Sequence, residues 1–173
     1  KLDFSPTTIE HVKTEKTASA CLGLSWTDDD RILCAQNQQV EVRQAADLRL
    51  NKTATVKDSG WVHSLVGNFE KFYFKLGSIT AKKYITYSGS LDEPAQRVLH
   101  SEESEEPSTI THLSANKDYV ASIDIVTKTL KIFSSTTEEH LFDIKLTDFQ
   151  SPYGVHLTAD GVLVTDSTGG KLC

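Results

Sequence analysis

Four segments of this chain superpose on one another: Leu24-Ser25-Trp26-Thr27-Asp28, Leu65-Val66-Gly67-Asn68, Leu113-Ser114-Ala115-Asn116 and Leu157-Thr158-Ala159-Asp160. Their leading leucines recur at intervals of roughly 40 to 50 residues. Between them lie short apolar or alternating runs bounded by polar turns. Examples are Arg31–Ala35, Gln39–Arg43 and Thr53–Val56, then Phe72–Leu76, Lys83–Tyr87 and Gln96–His100, then Tyr119–Asp124, Thr129–Phe133 and His140–Ile144. A period of this length that carries four strands is the signature of propeller blades, each of which buries its faces only against its neighbours. A meander sandwich or barrel also yields short strands with frequent turns, but it has no reason to repeat a leucine and its turn at blade spacing. The expected fold is therefore all-β, a β-propeller fragment of about three to four four-stranded antiparallel blades. The expected blades are residues 18–58, 59–106, 107–149 and a truncated 150–173, within one domain 1–173. The first sixteen residues support at most one strand, near Ile9 to Lys13.

The 173 residues suffice for a sizeable core. They contain no methionine and stop at Cys173 within a strand-like run, so the chain is expected to be a piece of a longer protein. A net charge of -6 has the wrong sign for a chain that draws its affinity from phosphate neutralisation, which disfavours RNA or DNA as the main partner. No apolar run is long enough to cross a bilayer as a helix, and no signal-peptide core is visible. Cys21, Cys34 and Cys173 lack the spacing of a metal knuckle. Reduced thiols are expected, with a Cys21–Cys34 disulfide across adjacent strands as the alternative, and the expected compartment is cytoplasmic. Asn51-Lys52-Thr53 matches a glycosylation acceptor and keeps a secreted setting open.

His112 and His156 stand just before the leading leucines of consecutive blades, with His63 near the same level. On innermost strands they would face the channel, either as metal ligands or as polar side chains in contact with water. No G-x-S-x-G elbow is present, and Gly169-Gly170 precedes a strand where a phosphate cradle needs a helix. No cofactor is expected. In the second blade, alternation sends half of the aromatic residues into the core. The rest, with Tyr73, Lys75 and Tyr87 as candidates, are expected on a basic aromatic face suited to a partner. Glu102, Glu103, Glu105 and Glu106 form an acidic run between the second and third blades, read as a solvated loop or as a docking site for a basic partner. Asp166 and Asp160 are expected to hydrogen-bond neighbouring backbone.

The last unit carries Pro152-x-Gly154-Val155, then Asp160-Gly161, Val162-Leu163-Val164 with Thr165-Asp166, and Lys171-Leu172. It resembles an NHL repeat, and the chain resembles the C-terminal propellers of invertebrate tripartite-motif (TRIM) proteins. The earlier blades keep the spacing but lose the Gly-Val opening and the closing aspartate, apart from Asp124. The resemblance implies a non-enzymatic module that recognises the protein substrates of an E3 ubiquitin ligase, or less readily RNA. The alternatives are a six-bladed metal-dependent hydrolase of the lactonase or strictosidine-synthase-like type and a secreted lectin-like or scaffold propeller. An incomplete ring leaves an open sheet edge, through which two copies are expected to be able to associate.

Overall fold

The computed structural model describes residues 21–27, 29–36, 39–56, 60–67, 71–78, 82–90, 96–104 and 112–168, the side chains of Trp61 and His63 excepted. The strand expected near Ile9 and the third strand expected to open at Lys171 lie outside the described residues. The first sheet comprises β1 (Gly23–Trp26), β2 (Arg31–Ala35), β3 (Gln39–Gln44) and β4 (Leu50–Thr55). The second comprises β5 (Trp61–Gly67), β6 (Lys71–Ser78), β7 (Lys83–Ser90) and β8 (Gln96–Glu103). The third comprises β9 (Leu113–Ala115), β10 (Tyr119–Asp124), β11 (Thr129–Ser134) and β12 (His140–Lys145), and a final hairpin pairs β13 (Pro152–Leu157) with β14 (Val162–Asp166). Each sheet is antiparallel, with its strands in sequence order. The first strands lie side by side, β1 against β5, β5 against β9 and β9 against β13, so the sheets are arranged as the successive blades of a propeller.

The repeat extends to local geometry. The β3–β4 and β11–β12 turns close with the same pair of bonds, Leu48 N to Gln44 O and Glu138 N to Ser134 O, each 2.9 Å. Leu48 and Glu138 both take a left-handed backbone, with φ of 58° and 62°. A register shift also falls at the same level of the last strand pair in each full sheet: Val42/Arg43, Thr86/Tyr87 and Ile132/Phe133. Such bulges increase strand twist, as the outer edge of a blade requires.

A serine hydroxyl on the first strand of each blade accepts from a backbone amide of the next blade's first strand. Ser25 Oγ accepts from Gly67 N at 3.1 Å, Ser64 Oγ from Leu113 N at 3.0 Å, and Ser114 Oγ from Leu157 N at 2.9 Å. Behind these bonds the junctions differ. Leu33, Val40 and Val42 of the first sheet pack on Phe72, Phe74 and Leu76 of the second. Ile123, Leu130 and Ile132 of the third sheet pack on Val155, Leu157 and Val164 of the hairpin. The middle junction has a smaller apolar part, with Tyr73, Leu113, Val120 and Phe133, and is otherwise polar.

The expected reduced state of Cys21 and Cys34 is not what the structure shows. The two are joined by a disulfide, with Cα atoms 5.8 Å apart. The first hairpin brings the two within reach: Leu22 N bonds Ala35 O at 2.7 Å, which places Cys21 near Cys34 although Leu24 is the residue opposite Cys34 in register.

Candidate functional site

The polar middle junction gathers the titratable groups with the largest shifts among the described residues. Along β6, alternation turns Phe72, Phe74 and Leu76 towards the first sheet and Tyr73 and Lys75 towards the third. Lys75, Thr86 and His100 lie in one row across the second sheet, and Glu102 follows on the same face. The third sheet closes over this face with Ser122 and Asp124, and Thr86 Oγ1 meets Ser122 Oγ at 3.3 Å. Lys75 is fully buried and ion-paired with Glu102, donates to Ile123 O at 2.5 Å, and sits 5.2 Å from the centre of the Tyr84 ring. Asp124 Oδ2 lies 3.6 Å from His100 Nε2.

Burial sets the charge states, and the partners modify them. Burial pushes the Lys75 ammonium down, with Glu102 opposing. It pushes the Glu102 carboxyl up to about 7, against Lys75 and with help from a hydrogen bond to Asp124. Burial would also raise Asp124, but hydrogen bonds from His100, the Thr127 amide and Glu102 outweigh it and hold this carboxyl well below the usual range. The Glu102 carboxyl thus ionises, completing its pair with Lys75, only as pH rises through about 7. Lys75, Glu102 and Asp124 are buried between the second and third blades.

Three partner candidates on the second blade are therefore corrected. Tyr73, Lys75 and Tyr87 do not form an exposed face: Tyr73 donates from its hydroxyl to Ser135 O at 3.1 Å, and Tyr87 stacks on Phe74 with ring centres 4.9 Å apart. In the acidic run Glu102 is turned inwards and Glu103 is exposed, while Glu105 and Glu106 lie outside the described residues. The alternation was readable in the sequence. The neighbouring sheet that buries the second face was not.

His112 is half-buried, its ring centre 4.9 Å from that of Tyr153, and burial holds its imidazole below the usual value. His156 is exposed, opposite Leu163 in the final hairpin. Among the described residues no three His, Cys, Asp or Glu side chains converge as a metal site. Asp166 is buried and accepts from Gln150 N at 2.7 Å, Ser151 N at 2.9 Å and Thr168 N at 3.1 Å. Gly154 N bonds Thr165 Oγ1 at 2.9 Å, and a Cβ at Gly154 would come within 2.7 Å of that oxygen, so a side chain there would require Thr165 to shift. Asp160 N bonds Thr158 Oγ1 at 3.3 Å, and Gly161 O closes the turn on Thr158 N at 2.8 Å.

The accessible feature is a groove of about 790 Å³ between the third sheet and the final hairpin. Among the described residues the hairpin packs on Ala121, Ile123, Leu130 and Ile132, and the groove runs on towards Phe142 and Ile144 of β12. Tyr119, Ile132, Phe142, Ile144, Leu157 and Val162 supply the apolar surface, and the turns Asn116–Asp118 and Thr158–Gly161 make a polar rim. Phe142 is 50% exposed and Ile144 37%, unusual for large apolar residues on one sheet face. Of the residues singled out in the sequence, Asp160 and Gly161 lie on its rim, while the binding candidates Tyr73, Lys75, Tyr87, Glu102 and Glu103 lie elsewhere. In the sequence it corresponds to the apolar Leu141-Phe142 with Ile144 on the third sheet's outer strand.

No family model matches the chain, and no curated protein matches it. Solved structures do resemble it. The computationally designed Ika4 protein is 18% identical with a TM-score of 0.68, over 96% of this chain and 97% of that one. Hydrazine synthase from Kuenenia stuttgartiensis is 11% identical with a TM-score of 0.64, over 96% of this chain and 47% of that one. The β-propeller domain of Cps50 (Swd1) from Myceliophteria thermophila is 17% identical with a TM-score of 0.61, over 88% and 50%. The chain thus spans about half the length of the last two. At these identities the likeness speaks for architecture alone: the chain is an arc of a β-propeller.

Proposed function

We propose that this arc is a non-enzymatic interaction module that docks a protein partner in the groove between the third sheet and the final hairpin. The observation that carries this reading is the open apolar floor of Phe142 and Ile144 under a rim of turns, the pattern of a protein-contact surface. The most perturbed titratable groups are sealed between blades, which favours docking over catalysis. The NHL-like hairpin, with Pro152, Gly154 and Asp166 in place, supports the partner-recognising arm of a TRIM-type protein. The Cys21–Cys34 bond, in contrast, favours a secreted scaffold propeller in an oxidising compartment. Either setting uses the same groove. Among the described residues no helix is long and apolar enough to cross a membrane.

Selection of a displayed peptide library on the chain tests the reading. Selected peptides should lose binding at least tenfold to Phe142→Asp and keep it with Val98→Asp, an exposed residue on the second sheet. Binding indifferent to Phe142→Asp would remove the groove as the docking site.

A further inference from the structure

Among the four asparagines of the chain, only Asn51 opens an Asn-x-Ser/Thr triplet, completed by Lys52 and Thr53. The triplet lies on β4, the outermost strand of the first sheet, and all three of its residues are exposed. The ladder leaves Asn51 out. Val42 lies opposite Lys52 and Arg43 opposite Leu50, so Asn51 is the extra residue of the bulge between them. Among the described residues no hydrogen bond holds its side-chain amide or the Thr53 hydroxyl. A group added to the Asn51 nitrogen would therefore displace no partner of that amide.

We infer that Asn51 is a glycosylation site, the acceptor of an oligosaccharide from a lipid-pyrophosphate donor. A three-residue pattern is too short to carry this by itself, and a second observation points the same way. The same sheet holds the Cys21–Cys34 disulfide, the chemistry of the oxidising compartments through which secreted, glycosylated chains pass. The inference rests on the secreted setting named above and does not involve the groove, which lies at the other end of the arc. In the transfer, the Asn51 side-chain nitrogen forms a bond to C1 of the first sugar, and the bond from C1 to the pyrophosphate oxygen breaks. The lipid pyrophosphate leaves, the amide nitrogen gives up one proton, and nothing is oxidised or reduced. Thr53 supplies the hydroxyl by which the transferase recognises the triplet. The sugar would also cover a thinly guarded edge: β4 carries one charged residue, Lys52, whereas β8 carries Arg97 and Glu103 and β12 carries Asp143 and Lys145.

Expression of the chain behind a cleavable signal peptide in eukaryotic cells tests this, with product recovered from both medium and cells. Treatment with peptide-N-glycosidase F in heavy-oxygen water, followed by digestion and mass spectrometry, should mark Asn51 as a labelled aspartate. The same treatment of the protein from its natural source should mark the same residue. Asn51→Gln and Thr53→Ala should each abolish the glycan, and Thr53→Ser should keep it. Because the Asn51 amide is exposed and unbonded, Asn51→Gln should leave the thermal melt unchanged, which separates a lost acceptor from a lost fold. An unmodified Asn51 in chains whose Cys21–Cys34 bond has formed would overturn the inference, as would a glycan that survives Thr53→Ala. Free Cys21 and Cys34 in the protein from its natural source, with Asn51 unmodified, would overturn it together with the secreted setting. Docking is read separately: peptide binding that depends on Phe142 should be the same with and without the glycan, and its loss in both forms would remove the docking function and leave the glycan standing.

Discussion

Lys75 on β6 and Glu102 on β8 form an ion pair that is closed to solvent on both sides, with the cation fully buried between two blades. A pair of this kind costs desolvation that attraction alone only roughly offsets, and Ile123 O, the Tyr84 ring and the charge of Asp124 add to the stabilisation of its cation. The groups facing it from both sheets are His100 and Glu102 on the second and Asp124 on the third.

The pH dependence of stability follows from Glu102. Its carboxyl is raised to about 7 in the folded protein from 4.5, so between these values the folded state holds the extra proton. Its contribution is complete below pH 4.5 and is lost as pH rises through 7. Asp124 works in the opposite sense, since its carboxyl is depressed and its contribution disappears as pH falls below 3.8. Urea denaturation should therefore give highest stability near pH 4, with a decline of about 3 kcal/mol by pH 8. Glu102→Gln should flatten the neutral decline and leave the acid limb. An unchanged decline in the variant would show that another group titrates.

The serine bridges yield a second prediction. Ser64→Ala removes the acceptor of a buried amide, Leu113 N, while Ser114→Ala removes that of the half-buried Leu157 N. Ser64→Ala should cost about 2 kcal/mol and Ser114→Ala about 1 kcal/mol, the difference following from how far water can replace the lost partner. The two lie in separate junctions, so the double variant should show the sum within about 0.5 kcal/mol. A clear excess over the sum would mean that the junctions are coupled through the third sheet.

Much of the fold was readable because a blade is built from local signals. Alternation on β10 and β11, the Asp160-Gly161 turn and the spacing of Leu24, Leu65, Leu113 and Leu157 each report on a few neighbouring residues, and together they give the repeat. The site was less readable because it depends on which blade meets which. Lys75 looks like a surface cation guarding a strand until Asp124, from the next repeat, is brought over it. The groove depends on how the final hairpin packs against the third sheet, and no residue pattern states that. The serine bridges lie between the two cases: Ser25 and Ser114 follow their leucines visibly, but the amides they bond belong to the next blade.

Two glycines separate backbone need from turn preference. At Gly89 a Cβ would press into the ring of Phe72, a buried residue with no room to yield. Gly89→Ala should cost roughly 2–3 kcal/mol by forcing that ring out of place. Gly161 has nothing within 4 Å of the added carbon, so Gly161→Ala should stay within about 0.5 kcal/mol of the parent despite its place in the repeat-like motif. Thermal melts of the two variants check the contrast, and equal losses would contradict the packing at Gly89.

The disulfide can be read directly by counting thiols. With Cys21 bonded to Cys34, alkylation of the denatured, unreduced chain should modify Cys173 alone, and prior reduction should expose all three cysteines. Closing a loop with a sequence separation of 13 stabilises by about 3 kcal/mol on chain-entropy grounds, so reduction should lower the urea midpoint measurably. The loss should fall on the first hairpin, where the bond ties the segment before β1 to the buried side of β2. Amide exchange should then quicken at Leu22, whose N–H bonds Ala35 O, while Ala121 and Ile123 in the third sheet keep their protection. Three reactive thiols in the unreduced chain would remove the bond, and with it the preference for an oxidising compartment over a cytoplasmic one.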